Sequence, residues 1–316
     1  MRTLVTGATG FVGAALLARL SADGVSSVAA VRHQIEMQLA GVRQIVVGDI
    51  LPNTEWSYAL LDVGVVVHLA ARVHVMHDTT AEPLAEFRKS NVQATLNLAR
   101  QAAECGVRRF VFVSSVKVNG ESTAGGAPFM TEDSPSPKDP YGVSKMEAEN
   151  GLREIALSKD MEVVIIRPPL VYGPGVKANF SALMRVVQGG WPLPFGAVHN
   201  RRSLIALDNL VDFIVVCIDH PRAANQTFLV CDGKDLSTNE LVRGLARALS
   251  VPARLFPIPV WMLKAIGSVF GKKDVIERLT SNLQVDISKA SQLLGWVPPV
   301  SVEEGLRRTV AEIRKS

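Results

Sequence analysis

An α/β protein, with a doubly wound parallel sheet and a smaller, mainly helical substrate-binding domain, is what this 316-residue sequence predicts. Three observations carry the prediction. β-branched runs alternate with helical stretches through the first half, the pattern of a parallel sheet covered by helices on both faces. The runs are nearly continuous Val, Ile, Ala and Phe, as strands buried on both sides require. Beyond Gly173-Pro174-Gly175 the pattern changes to proline-broken apolar segments and helices.

The elements follow in order. A strand over Thr3–Thr6 leads through a glycine turn into a helix over Phe11–Ala22. Strands over Ser27–Val31, Ile45–Val47 and Val63–Leu69 precede a long helix over 81–105, a strand over Arg109–Ser114 and a helix over Tyr141–Ser158. A strand over Glu162–Arg167 ends at Pro168-Pro169, where the missing N–H groups stop the ladder. The segment from Asn119 to Pro140 is rich in Gly and Pro, and a loop that long inside a compact domain is usually functional. Capping boxes at Ser237-x-x-Glu240 and Ser301-x-x-Glu304 mark later helix starts. The expected division is 1–173 with about 204–230 for one domain, and about 174–203 with 231–316 for the other.

Composition narrows the class. Lys+Arg 34 against Asp+Glu 30 gives a net charge of +4, with basic residues scattered and never more than paired, a weak footprint for nucleic acid. Mean hydropathy is +0.20, yet no apolar run approaches the ~20 residues of a spanning helix. Neither a signal peptide nor a transit peptide is recognisable. Three widely spaced cysteines fit a reduced compartment, so a cytoplasmic protein without disulfides is expected. Val260–Phe270 reads as a packed helix near a substrate pocket, because its polar face is too sparsely basic for a membrane surface. His74-x-x-His77-Asp78 reads as a solvated loop, since no third metal ligand is nearby.

Thr6-Gly7-Ala8-Thr9-Gly10-Phe11-Val12-Gly13 lies between the first strand and the first helix. Glycines there permit a tight turn, close approach of backbone to a pyrophosphate and close helix–strand packing, with the helix N-terminus facing the anion. Gly7, Thr9, Gly10, Phe11, Val12 and Gly13 are therefore candidate dinucleotide contacts. The second strand ends in Arg32-His33, where an NAD site would carry an acid. A cation suits a 2′-phosphate, so NADP(H) is expected over NAD(H). Tyr141 and Lys145 stand at i and i+4 and project from one helix face. A nearby ammonium is expected to lower the phenol pKa and make Tyr141 a usable acid/base.

With Ser114-Ser115 ahead of Gly120, the chain resembles the extended short-chain dehydrogenase/reductase family, in particular its nucleotide-sugar epimerases, dehydratases and ketoreductases. Further matching motifs run nearly end to end: Gly48-Asp49-Ile50, His68-Leu69-Ala70-Ala71, Asn91-Val-x-x-Thr95, Arg167-Pro168, Val171-Tyr-Gly-Pro-Gly175, Arg202-Ser-Leu-Ile-x-x-Asp208 and Asp286-Ile-Ser-Lys289. The resemblance implies a Rossmann-type dinucleotide domain and a nucleotide-sugar domain. It implies Asp49 and Ile50 at the adenine, Leu69, Ala70, Ala71 and Pro168 along the dinucleotide, and Asn91 in the active-site surround. Ser115 would hydrogen-bond the reacting sugar oxygen, Tyr141 would be the general acid/base, and Lys145 would also hold the nicotinamide ribose. Asn179 and Arg202 would bind a diphosphate. Lys117 and Asn119 are candidate substrate contacts, Lys117 with solvent as its alternative; Phe195 either stacks on the nucleotide base or fills the smaller domain's core. A homodimer through the helices over 81–105 and 141–158 is implied by the same resemblance.

Dehydratases of the family carry Asp-Glu after the serine; here those positions are Val116 and Lys117, which cannot do that proton transfer. The segment Ser115–Gly120 looks like that of bacterial 4-keto-6-deoxy-N-acetylhexosamine reductases of O-antigen synthesis. With Arg32, the expectation is reduction of the C4 ketone of a UDP-4-keto-6-deoxy-N-acetylhexosamine to UDP-N-acetylquinovosamine or UDP-N-acetylfucosamine. The alternative is a UDP-hexose 4-epimerase with tightly bound NAD. A catalytically dead dinucleotide sensor is disfavoured by the retained Ser115, Tyr141 and Lys145.

Overall fold

The computed structural model describes residues 2–73, 82–124 and 126–311. The first half runs β1 (Arg2–Thr6), α1 (Phe11–Ala22), β2 (Ser27–Val31), β3 (Val42–Val46), β4 (Val63–His68), α2 (Pro83–Phe87), α3 (Ala94–Glu104), β5 (Arg109–Val113), α4 (Pro140–Ser158) and β6 (Glu162–Arg167). It continues with β7 (Leu170–Tyr172), α5 (Ala178–Gln188), β8 (Leu204–Ala206), α6 (Leu207–Asp219), β9 (Thr227–Leu229), α7 (Thr238–Leu249), α8 (Val260–Val269), α9 (Lys273–Thr280), α10 (Ser288–Leu294) and α11 (Val302–Ala311). The main sheet has seven parallel strands in the order β3-β2-β1-β4-β5-β6-β9, a Rossmann-type α/β arrangement. The chain leaves β1 in one direction and returns on its other side at β4. The crevice beyond the carboxyl ends of these two strands is where such sheets bind ligands.

Burial on both faces explains the continuous apolar strands. Leu4, Val28, Val66, Phe110 and Val163 enter the core under α3 and α4, whereas their neighbours Val5, Ala29, Val67, Val111 and Val164 enter the core under α1 and α6. Each such side chain contributes about 1.5–3 kcal/mol when fully buried. A third core joins α5, α7, α8 and α11 around Tyr172, Val198 and Leu245.

Several boundaries differ from the sequence expectation. The third strand covers Val42–Val46, earlier than 45–47, because all five of its residues pair with β2. In place of one helix over 81–105 there are α2, a π-helical stretch Arg88–Gln93 and α3; position 81 lies outside the described residues. After Pro168-Pro169 the chain re-enters extended structure as β7, which pairs with β8 in a separate two-stranded sheet. α10 and Trp296 pack with the main-sheet core, although they belong to the range expected for the second domain. The Trp296 indole stacks edge-on against Phe213 at 4.8 Å and donates to Asp212 at 3.0 Å.

Cys105, Cys217 and Cys231 are free thiols. No described helix is long and apolar enough to cross a membrane. The motif at His74, His77 and Asp78 lies outside the described residues, and among those described no cluster of potential metal ligands forms.

Candidate active site at the carboxyl edge of the sheet

The glycine turn closes on itself and on the end of β4. Gly7 has φ +65°, and a Cβ there would sit 2.8 Å from the Ala70 amide nitrogen. A Cβ on Gly13 would meet the Gly7 carbonyl oxygen at 2.1 Å, so α1 lies against the turn as only glycine permits. The Thr6 hydroxyl accepts hydrogen bonds from the Leu69 and Ala70 amides at 3.2 and 3.3 Å, which ties the two walls of the crevice together. Gly10 caps α1 without a side chain, and the first turn with Phe11 and Val12 has no acid. Thr9 and Gly10 are exposed. The helix N-terminus is thus left available to an anion, and the cradle fits a dinucleotide pyrophosphate.

At the rim of the crevice Arg32 and Asp49 face each other, Nε to Oδ1 at 3.4 Å. Both are largely exposed, and a pair of that kind is worth at most about 1 kcal/mol, so Arg32 is not lost to other anions. Ile50 beside them is half-buried.

His68 ends β4 buried beneath this crevice, with Nδ1 2.7 Å from the Thr6 hydroxyl and Nε2 2.9 Å from the Thr95 hydroxyl. Burial, aided by the Lys145 charge, lowers its pKa to about 3, so the ring is neutral at pH 7. The unfolded chain binds this proton below its ordinary value of 6.5 and the native chain does not, so native stability falls as pH drops from 6.5 towards 3. By pH 4 the loss from this residue is on the order of 3 kcal/mol. Urea unfolding at pH 7 and pH 4 checks it: His68→Gln should flatten the slope, and an unchanged slope would exonerate His68.

α4 brings the chemistry to the same edge. Asp139 caps it, its Oδ1 accepting from the Gly142 amide at 2.7 Å, and Pro140 opens the first turn. A Cβ on Gly142 would lie 2.9 Å from the Lys117 carbonyl oxygen; glycine between Tyr141 and Lys145 therefore lets α4 abut the turn that holds Ser115. Ser115 caps that short 3-10 turn, its hydroxyl accepting from the Lys117 amide at 3.2 Å. The Tyr141 ring packs edge-on to Phe87 at 6.1 Å. Lys145 is buried, its Nζ donating to the Val113 carbonyl at 2.9 Å and lying 4.4 Å over the Phe112 ring.

The electrostatics correct the simple expectation that Lys145 lowers Tyr141. Burial raises the Tyr141 phenol above its ordinary value and Asp139 adds to the rise, while a hydrogen bond with Ser115 works against it. Burial also lowers Lys145 to about 7, with Glu149 opposing. A low-dielectric site disfavours both charged forms, so in the unliganded protein Tyr141 is a protonated acid beside a lysine that readily loses its charge.

Other candidates occupy different roles. Asn91, in the π-helical stretch, accepts from the Arg72 amide at 2.8 Å and donates to the Arg72 carbonyl at 3.0 Å and to the Ser144 hydroxyl at 3.1 Å. Its amide braces the loop after Ala71 and so positions that wall of the crevice. Asn119 likewise accepts from Arg167 at 3.0 Å and donates to the Met130 carbonyl at 3.0 Å, which fixes its side chain at the end of the turn that follows Ser115. Lys117 is paired with Asp139 and with Glu121, the latter at 3.0 Å, and its ammonium is thereby held at the start of α4. Phe195 is buried in the third core, the packing role that was one of its two alternatives. The Pro168 carbonyl accepts from the Val116 amide at 3.0 Å, fastening the end of β6 behind Ser115.

On the opposite side, Asn179 is exposed in the first turn of α5. Arg202 is part-buried, its guanidinium donating to the Ser281 carbonyl and hydroxyl at 3.3 Å. Burial lowers its pKa, and the positive charge of Arg278 lowers it further. Two neighbouring guanidiniums suit a diphosphate. Sequence reading missed Arg278, which has no local signature. It also missed Glu149, although 141, 145 and 149 follow one helix face at i+4 spacing.

The model of the NAD dependent epimerase/dehydratase family matches residues 3–231. The chain belongs to that family. Among its relatives, a UDP-glucose 4-epimerase of Vibrio cholerae is 53% identical, covering 97% of this chain and 93% of its own. A UDP-glucose 4-epimerase of Mycolicibacterium smegmatis is 31% identical over 99% of both chains. Among solved structures, MoeE5 in complex with UDP-glucose and NAD superposes with a TM-score of 0.80 at 24% identity, covering 100% of this chain and 99% of that one, a likeness of fold.

Proposed function

We propose that this family member is a UDP-hexose 4-epimerase that keeps NAD bound and interconverts gluco and galacto isomers. The 53% identity to the Vibrio cholerae UDP-glucose 4-epimerase over nearly the whole of both chains carries the reading. It supports the epimerase more strongly than the 4-ketoreductase suggested by Ser115–Gly120. In this reading the glycine turn, Leu69, Ala70, Ala71, Asp49 and Ile50 hold the dinucleotide, and Asn179, Arg202 and Arg278 hold the sugar diphosphate. The cofactor, when bound, supplies a hydride acceptor and a positive charge that favours the Tyr141 phenolate. Tyr141 would take the proton of the C4 hydroxyl on its phenolic oxygen as the C4 hydride is given up to that acceptor, and after the keto sugar has turned the hydride and the proton would both be returned, while Ser115 would hydrogen-bond the C4 oxygen of the sugar. Lys145 holds the ribose side. A homodimer through α3 and α4 completes the reading, and light scattering of the purified protein measures it.

Purified protein given UDP-glucose or UDP-N-acetylglucosamine, with products followed by NMR, should show the galacto isomer with no net consumption of dinucleotide, and acid denaturation should release NAD⁺. A second reading, NADPH-dependent reduction of a UDP-4-keto-6-deoxy-N-acetylhexosamine, is favoured by Arg32 at the end of β2. Stoichiometric NADPH oxidation with that substrate and no epimerisation would replace the first reading by the second. Arg32→Ala then separates the cofactors. Under the epimerase reading NAD binding changes less than about three-fold, whereas an NADPH enzyme loses tenfold or more in affinity with its phosphate partner.

A further inference from the structure

α8 packs on the third core through Leu263, with Val260 of α8 and Ile276 and Leu279 of α9 partly buried against it, as its sequence suggests, but most of the α8–α9 hairpin is left uncovered. Only Leu263 and Gly267 of α8 are buried, and no residue of α9 is. Trp261 is 71% exposed, Val269 81% and Phe270 73%, and Met262, Ile266 and Val275 are also exposed. A contiguous apolar surface of this kind on a soluble domain marks an interaction site. Its charges are biased: Lys264, Lys272 and Lys273 outnumber Asp274 and Glu277, and Lys272 and Lys273 follow Phe270 and Gly271 at the tip. Exposed Trp261 and Phe270, with Lys264 between them and Lys272 and Lys273 after them, match the headgroup region of an anionic bilayer, where aromatic rings sit at the interface and ammonium groups reach the phosphates.

We propose that the α8–α9 hairpin docks this protein peripherally on an anionic lipid surface, inserting Trp261, Ile266, Val269 and Phe270 with Lys272 and Lys273 at the headgroups. Because α9 also carries Arg278, docking sets the diphosphate end of the candidate sugar site beside the membrane.

Co-sedimentation of the full chain with phosphatidylglycerol/phosphatidylcholine vesicles tests it against vesicles of phosphatidylcholine alone. The protein should pellet with the anionic vesicles and remain in solution with the zwitterionic ones. Lys272→Ala/Lys273→Ala should lower partitioning about thirty-fold. Trp261→Ser/Phe270→Ser should abolish pelleting with an unchanged thermal melt. Absence of pelleting by the wild type, or variants that pellet as fully as the wild type, overturns the proposal. Self-association that the Trp261→Ser/Phe270→Ser variant loses, without vesicle binding, would assign the surface to a second copy of the chain and overturn it as well. Turnover of a water-soluble UDP-sugar should be unaffected in both variants, so a failed docking experiment and a failed epimerase reading are seen separately.

Discussion

Tyr141→Phe should lower turnover by ~10²-fold or more while leaving the fold and the dinucleotide affinity near wild type. In the proposed reaction the phenolic oxygen carries the proton at an edge where Ser115, the turn over 116–118 and the start of α4 converge. His68, the histidine ending β4, is buried, engaged by Thr6 and Thr95, and held at about 3. The ring itself packs on Phe87, so removing one oxygen leaves that contact in place. The pH dependence has a defined sign. Burial holds Tyr141 protonated, so the oxidative half-reaction, which needs phenolate, should gain rate as pH rises from neutral in single-turnover experiments. Near-normal turnover of Tyr141→Phe would remove this residue from the mechanism, and a flat profile would remove the phenolate.

Glu149→Ala should destabilise the native state by about 3–5 kcal/mol in urea unfolding. Glu149 is fully buried and accepts from Ser114 Oγ at 2.6 Å, from Arg167 at 2.6 and 2.9 Å and from Arg153 at 3.0 Å. Removing the carboxylate leaves the Arg167 guanidinium, itself buried, without a counter-charge and the Ser114 hydroxyl without an acceptor. Arg167 also holds Asn119. The loss therefore reaches both ends of the turn that presents Ser115. Glu149→Gln retains acceptors but not the charge and should fall between the two. A change below about 0.5 kcal/mol for Glu149→Ala would show that the network is dispensable.

Residues whose role depends on their immediate neighbours in the chain were legible. The glycine turn is recognisable because its three glycines answer local steric needs, at Gly7 and Gly13 through backbone contacts under 3 Å. The strands are recognisable because both faces of the sheet are apolar, and Tyr141 and Lys145 because helical spacing puts them on one face. Polar side chains were harder to place. Asn91, Lys117 and Asn119 have the chemistry of ligand contacts, and each also holds a partner distant in the chain that no local pattern reveals: Arg72, Asp139 and Arg167 respectively. Phe195 was ambiguous because an aromatic residue serves a core and a stacking site equally well.

By itself the sequence determined the parallel α/β sheet, the glycine turn and the shared helix face of Tyr141 and Lys145, since periodicity and short spacings are properties of a few consecutive residues; Ser115 joined that pair only through the family resemblance. Tertiary structure alone decided that Lys145 is turned to the Val113 carbonyl and loses its charge readily, that Glu149 and Arg167 brace the turn over 116–118, and that Trp261 and Phe270 are exposed. Burial, counter-charge and exposure depend on which distant segments meet, and no local pattern encodes that meeting.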